Sequence, residues 1–162
     1  MMEVKIRKFS IEDIESKVRW INDSKNNQYL HYDLPLEVDK TRDWFLNNKD
    51  RTDRYDATII FDGIPVGLIG LLSIKDNRAE YYVTLGEDIA KGKGVAKEAS
   101  RLLLDFASKE LNLREVYLYT EVDNIRAQKS FESIGFVQKE RIKDSAVNKG
   151  VLVDRYYYSI DL

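Results

Sequence analysis

The sequence has no cysteine and a single histidine, His31. Without thiols there are neither disulfides nor thiolate metal centres, and one imidazole is too few for a zinc site built from protein ligands. No metal is therefore expected. Two prolines are too few for a proline-rich linker. No apolar run is long enough to span a bilayer, and the first residues, Met1-Met2-Glu3-Val4-Lys5, do not form the apolar core of a secretion signal. A cytoplasmic protein with no membrane partner is the expectation. Net charge is −2, which gives no reason to expect nucleic acid as a partner. What the chain does have is a hydrophobic share of 43% over 162 residues, enough for one well-buried core and short for two. A single domain over 1–162 is expected.

Val4 to Phe9 alternates apolar and polar side chains and reads as a first strand. Ser10, with Asp13 three residues on, suits a helix start, and Ile11, Ile14, Val18 and Ile21 mark one helix face. The polar stretch Asn22 to Asn27 ends that helix. A second helix is predicted over Val38–Asn48 with Val38, Thr41, Phe45 and Trp44 inward. Between the two lies an aromatic connection, Tyr29-Leu30-His31-Tyr32-Asp33. Ala57 to Phe61 and Ile64 to Ile74 flank Asp62-Gly63, a strong hairpin signal. Gly67 and Gly70 within the second strand point to a bulge or a close backbone approach. Strands are also predicted at Ala79–Leu85, Glu115–Thr120, Phe136–Ile142 and Val151–Ile160. A long helix after Gly94 and a short one over Ile125–Ile134 complete the pattern. Asn124 caps the short helix and Gly135 ends it. The order gives an α+β fold, a mostly antiparallel mixed sheet with helices on both faces.

Between strand Ala79–Leu85 and the long helix stands Lys91-Gly92-Lys93-Gly94-Val95-Ala96. Two glycines there admit close backbone approach of a ligand, and the free N–H groups of a helix start form a socket for an anion such as phosphate. A tight strand-to-helix connection accounts for the same residues.

Two motifs together resemble the GNAT N-acetyltransferase family. Lys91-x-x-Gly94-x-Ala96 is similar to its Gln/Arg-x-x-Gly-x-Gly/Ala signature, with Lys in first place. Asn124-Ile125-Arg126-Ala127, followed by Phe131 and Gly135-Phe136, is similar to its second signature. The resemblance implies acetyl-coenzyme A as cosubstrate and a primary amine as acceptor. It assigns the coenzyme to Lys91, Gly92, Lys93, Gly94, Val95, Ala96, Lys97, Asn124, Ala127 and Lys129, with the pantetheine arm along Val83, Thr84 and Leu85. Gly150 to Tyr158 resembles the branch that acetylates ribosomal proteins, polyamines and some nucleotide sugars. Arg19-Trp20-Ile21-Asn22-Asp23 resembles a Trp-x-Asn stretch of amino-sugar-nucleotide acetyltransferases.

A simple alkyl ammonium loses its proton only near pH ~10, so the reaction asks for a base. Glu80 on the strand before the loop is the first candidate and His31 the second. Many family members carry a tyrosine acid where this chain has Phe131; the candidate replacements are Ser130, a strand tyrosine (Tyr82, Tyr117 or Tyr119) and water. Tyr29, His31, Tyr32 and Asp33 are the expected acceptor contacts, with a small-molecule amine as partner. An amino sugar nucleotide stands first, and a polyamine or a protein N-terminus stands second. A non-catalytic coenzyme A-binding module is the alternative of another class. The tyrosine-rich final strands are compatible with a homodimer joined at a sheet edge.

Overall fold

The computed structural model describes residues 2–162. Strands β1 (Val4–Lys8), β2 (Tyr55–Phe61), β3 (Ile64–Lys75), β4 (Arg78–Leu85), β5 (Glu115–Glu121), β6 (Val137–Asn148) and β7 (Val151–Asp161) form one sheet in the order β1-β2-β3-β4-β5-β7-β6. Every neighbouring pair is antiparallel except β4 and β5, which run parallel. A parallel pair needs a crossover, and helix α3 (Val95–Lys109) supplies it. Helices α1 (Ile14–Asn22) and α2 (Val38–Asn48) cover the other face, and α4 (Ile125–Ile134) follows β5.

The alternation along each strand sets which face each residue serves. Ala57, Ile59, Leu71, Ala79, Tyr81, Val116 and Leu118 meet Val95, Ala99 and Leu103 of α3 in the main core. A second cluster gathers Phe9, Ile14, Val18, Trp20, Ile21 and Leu68 beneath α1. Burying each large aliphatic side chain contributes about 1.5–3 kcal/mol, so α3, with an apolar residue at nearly every inward position, anchors the loop before it.

Several expectations change in detail. Ser10 and Asp13 do form a capping box, but it opens a 3₁₀ turn over Ile11–Asp13, and α1 begins only at Ile14. Asp13 is then a network centre. It accepts two bonds from the Arg7 guanidinium at 2.7 and 2.8 Å, one from Ser10 N–H at 2.9 Å and one from the Thr58 hydroxyl at 2.9 Å. Trp44 is not part of the core: it is 41% exposed and lines a cavity. Strand β6 runs to Asn148, six residues past the expected end, because β7 pairs with it as far as Asn148↔Val151.

The two glycines of β3 mark close approach. A Cβ on Gly67 would lie 2.4 Å from the Thr84 carbonyl oxygen, and one on Gly70 would lie 2.5 Å from that of Tyr55 and 2.7 Å from the Tyr82 ring. Neither distance is tolerable for a real Cβ contact. The irregularity in this hairpin falls instead at Ile59/Ile60 on β2.

Candidate active site

Strands β4 and β5 stay paired only from Arg78↔Glu115 to Glu80↔Tyr117. Beyond Glu80 they part, while β4 keeps its register with β3 up to Leu85. The main-chain groups of β4 that face β5 are thereby freed along Val83, Thr84 and Leu85, as an added extended ligand would need. The opening is a cavity of about 760 Å³.

That slot collects residues far apart in sequence. Val83, Thr84 and Leu85 form one wall, Lys91, Gly92, Gly94, Val95, Ala96 and Lys97 one end, and Asn124, Ala127 and Ser130 the wall from α4. Gly92 and Gly94 sit at φ +73° and +75°, and a Cβ at either would meet nothing within 4 Å. The glycines are thus required by backbone conformation, and the space beside them is open. Among the described residues, the first-turn N–H groups of Val95, Ala96 and Lys97 have no acceptor. Asn124 caps α4 by accepting from the Ala127 N–H at 3.3 Å. Free N–H donors, a positive helix end and an open cradle fit a diphosphate.

Not every expected contact lies in the slot. The Lys93 ammonium sits 5.8 Å from the centre of the Phe61 ring, and Lys129 is exposed on the outer side of α4, outside the slot lining. Lys91 lines the slot, but its ammonium donates to Asn26 Oδ1 at 2.7 Å and Asp88 Oδ1 at 3.1 Å, so protein oxygens already hold it. Arg126, which the motif reading passed over, lines the slot from the first turn of α4. A cation two residues after the capping Asn124 was the signal available.

The sheet face beneath α1 and α2 carries the other candidates. Glu80 stands there beside Tyr117 and Arg155; it is half-buried and makes no hydrogen bond or ion pair among the described residues. Burial pushes its carboxyl above the ordinary value, and Arg155 only partly opposes this. Tyr117, Tyr119 and Tyr157 pack as a ring cluster, centroids 5.4–6.1 Å apart. Arg78 lies over Tyr117 at 4.5 Å and Arg155 over Tyr119 at 4.6 Å.

His31 is held by its Nε2, 2.8 Å from Glu121 Oε2. Glu121 is buried and also accepts from Asn148 Nδ2 at 2.6 Å. Lys149 reaches the carbonyls of Asn27 and Gln28 at 2.7 and 3.2 Å. The tip of the β6–β7 hairpin therefore clamps the α1–α2 connection over the end of β5. Tyr29 lines the slot and donates to the Asp123 carbonyl at 3.1 Å, whereas Asp33 is exposed. Glu121 was legible only as the next outward position after Tyr117 and Tyr119 on β5.

Tyr32 lines a second cavity of about 420 Å³, reached from the same sheet face. Tyr82 closes it, next in sequence to Val83 of the slot, so β4 separates two cavities that share no lining residue. The Tyr82 hydroxyl donates to Asp56 Oδ1 at 2.5 Å, and burial followed by the Asp56 charge holds its proton on well above the usual phenol range. Phe131 packs edge-on to Tyr81 at 5.9 Å. Tyr81 is fully buried, with its hydroxyl 2.5 Å from Ser100 Oγ, and burial raises its pKa far above the ordinary value.

The Trp-x-Asn stretch turns out to hold the scaffold. Trp20 is buried and donates to Glu87 Oε2 at 2.5 Å. Its ring packs so closely on Gly86 that a Cβ there would lie 2.1 Å from Cγ. Asn22 accepts from Leu36 N–H at 2.7 Å and donates to the Leu36 carbonyl at 3.0 Å, closing the connecting loop.

The sequence profile of the Acetyltransferase (GNAT) domain matches residues 3–137. The chain belongs to this family. It is an acetyl-coenzyme A-dependent N-acetyltransferase, and acetyl-coenzyme A is its cosubstrate. The acetyltransferase is 25% identical to an uncharacterized N-acetyltransferase, p20, of Bacillus licheniformis, over 96% of this chain and 90% of that one. It is 26% identical to spermidine N(1)-acetyltransferase of Escherichia coli (strain K12), over 90% of this chain and 79% of the other. A crystal structure of spermidine N-acetyltransferase from Vibrio cholerae, in complex with CoA and spermine, superposes with a TM-score of 0.89. That match has 21% identity and covers 98% of this chain and 95% of the other. The shared fold is the α+β sheet described above.

Proposed function

We propose that this acetyltransferase acts on a small-molecule primary amine, and that the acceptor is an amino sugar nucleotide. The observation that carries the acceptor is the lining of the cavity beside Tyr82. Lys8, Lys17, Lys49, Arg51 and Arg54 line it against one carboxylate, Asp56, and Tyr32, Trp44 and Phe45 give it aromatic faces. Asp56 is engaged by Arg54 at 2.8 Å through two bonds and by Tyr82. A polycation asks for free carboxylates; a nucleotide asks for rings and positive charge. The lining suits the second. A polyamine is the second reading, supported by the relatives named as spermidine acetyltransferases and by the unpaired Glu80 carboxylate.

Acetyl-coenzyme A would supply the activated acetyl group as a thioester. The N–H groups of Val95 to Lys97, with Arg126 at the rim, would hold its diphosphate, and Val83 to Leu85 would align its extended arm. Glu80, unpaired and raised in pKa, would take the proton from the acceptor ammonium directly or through water. The acceptor's rings would rest on the aromatic side of the sheet. Ser130 and Ser133 of α4 both line the slot; Ser133 donates to the Ser130 carbonyl at 2.7 Å, so Ser130 is the hydroxyl of this helix left to donate to a departing sulfur in place of a tyrosine at Phe131. A thiol pKa near ~8.5 makes strong acid assistance unnecessary.

The test is thiol release from acetyl-coenzyme A by the purified protein with a panel of amino sugar nucleotides, spermidine, spermine and peptide N-termini. Turnover with the sugar nucleotides is expected. Turnover with polyamines alone would replace this reading with the second, and turnover with peptides alone would overturn the small-molecule acceptor.

A further inference from the structure

Lys17 is the unusual cation of the second cavity. Its ammonium lies 5.7 Å from the centre of the Phe9 ring, 5.9 Å from Tyr32 and 5.7 Å from Trp44. Among the described residues it makes no hydrogen bond and no ion pair, although it is half-buried. Arg54 places its guanidinium 4.6 Å from the centre of the same Trp44 ring. Two of its nitrogens, Nε and Nη2, are spent on Asp56, which leaves Nη1 free. Arg51 is paired with Asp53 and Lys49 with Asp50. Lys8 also lines the cavity without a partner among the described residues but is exposed to solvent, so the unpaired cation that is half-buried there is Lys17.

Aromatic rings attract a cation but replace little of its lost hydration. Burial accordingly holds the Lys17 amine below its ordinary pKa, with Asp56 opposing and Arg54 adding to the effect. An uncompensated ammonium in a ring-lined cavity, with a second cation on the same ring, is an arrangement that an anion completes.

We propose that Lys17 and Arg54 form an anion subsite for a phosphate-type group of the acceptor, with Trp44 and Tyr32 flanking whatever ring the anion carries. This deepens the acceptor reading above and rests on it for placing the anion on the acceptor. The subsite is separate from the diphosphate cradle of the slot, since the two cavities share no residue.

The experiment titrates the protein saturated with coenzyme A, so that the loop is already filled. Probes are inorganic phosphate, pyrophosphate and uridine diphosphate, followed by calorimetry. Binding of at least one probe is expected, weakened tenfold or more in Lys17→Met and retained in Lys17→Arg, with coenzyme A affinity the same in all three proteins. Uridine diphosphate binding far above pyrophosphate identifies a nucleotide as the source of the anion; equal binding identifies a simple phosphate. No binding at 10 mM of any probe (roughly 2.7 kcal/mol at most), or affinities unaltered in Lys17→Met, overturns the subsite. The two readings fail separately. Anion binding without acetyl transfer to sugar nucleotides removes the acceptor and keeps the subsite. Transfer with an acceptor KM unchanged in Lys17→Met removes the subsite and keeps the acceptor.

Discussion

Gly94 and Gly63 form a matched pair for testing the coenzyme cradle. Both have positive φ, +75° and +82°, and a Cβ on either meets nothing within 4 Å. Gly63 turns the β2–β3 hairpin outside the slot, whereas Gly94 lines it. An alanine in the left-handed region costs about 1–2 kcal/mol, and that cost falls equally on both variants. Only at Gly94 does the new methyl enter space that a diphosphate would use. Displacing one charge-assisted N–H bond costs about 1.5–3 kcal/mol, which converts to roughly 10- to 100-fold in affinity. Gly94→Ala is therefore expected to raise the KM for acetyl-coenzyme A by about that factor, with a stability loss like that of Gly63→Ala. Gly63→Ala keeps the wild-type KM. The assay is steady-state thiol release at saturating acceptor, paired with urea unfolding of both variants. Equal KM values for the two variants, with equal stability losses, would show that the loop is only a tight connection and refute the cradle.

Glu80→Gln is expected to lower kcat by about 10²–10³-fold. It also removes the acidic inflection of the kcat/KM profile, which in the native enzyme lies above the ordinary carboxylate range because burial raises Glu80; an unchanged pH profile excludes Glu80 as the base. Phe131→Tyr, which restores a hydroxyl beside Tyr81, is expected to raise kcat by less than about tenfold, since thiolate departure needs little acid; a larger gain in burst-phase or steady-state rates would show that departure limits turnover. Asp13→Asn is expected to cost about 2–3 kcal/mol in urea unfolding at pH 7, toward the lower side of a buried pair because Arg7 is partly exposed. Burial alone would raise the Asp13 pKa, but the bonds from Arg7, Ser10 and Thr58 outweigh it and hold it below the ordinary value. Its stabilisation is thus complete above the unfolded carboxyl pKa and is lost as pH falls through the lower folded one. A stability difference between Asp13→Asn and wild type that does not shrink in acid would refute that sign.

Local chemistry made most of the scaffold readable, and pairing across the sheet hid the rest. The Asp62-Gly63 turn and the Asn124 and Gly135 ends of α4 follow from backbone conformations that few residues accept. The α2 span follows from helical periodicity. The end of β6 could not be read from its own residues, because Lys143 to Asn148 are mostly polar and are strand only through pairing with β7. Its extension brings Asn148 to Glu121 and Lys149 to the Asn27 and Gln28 carbonyls. This is why His31 acquires a carboxylate partner that no spacing rule announced.

The slot was legible because the family's two motifs lie at its two ends, the glycine loop and the start of α4. The cavity proposed for the acceptor has no such motif. Lys17, Trp44, Arg54 and Tyr82 come from four separate elements and meet only in the folded chain. The Trp20–Asn22 stretch shows the converse. Its residues pack on Gly86 and close the loop at Leu36, and so fix where α1 sits. On the proposed acceptor reading, substrate choice would rest on side chains such as Lys17, Tyr32 and Trp44, none of which belongs to a strand of the sheet. The proposed donor slot, by contrast, would depend on backbone conformations at Gly92 and Gly94 and on the splay of β4 from β5, which cannot change without refolding the loop.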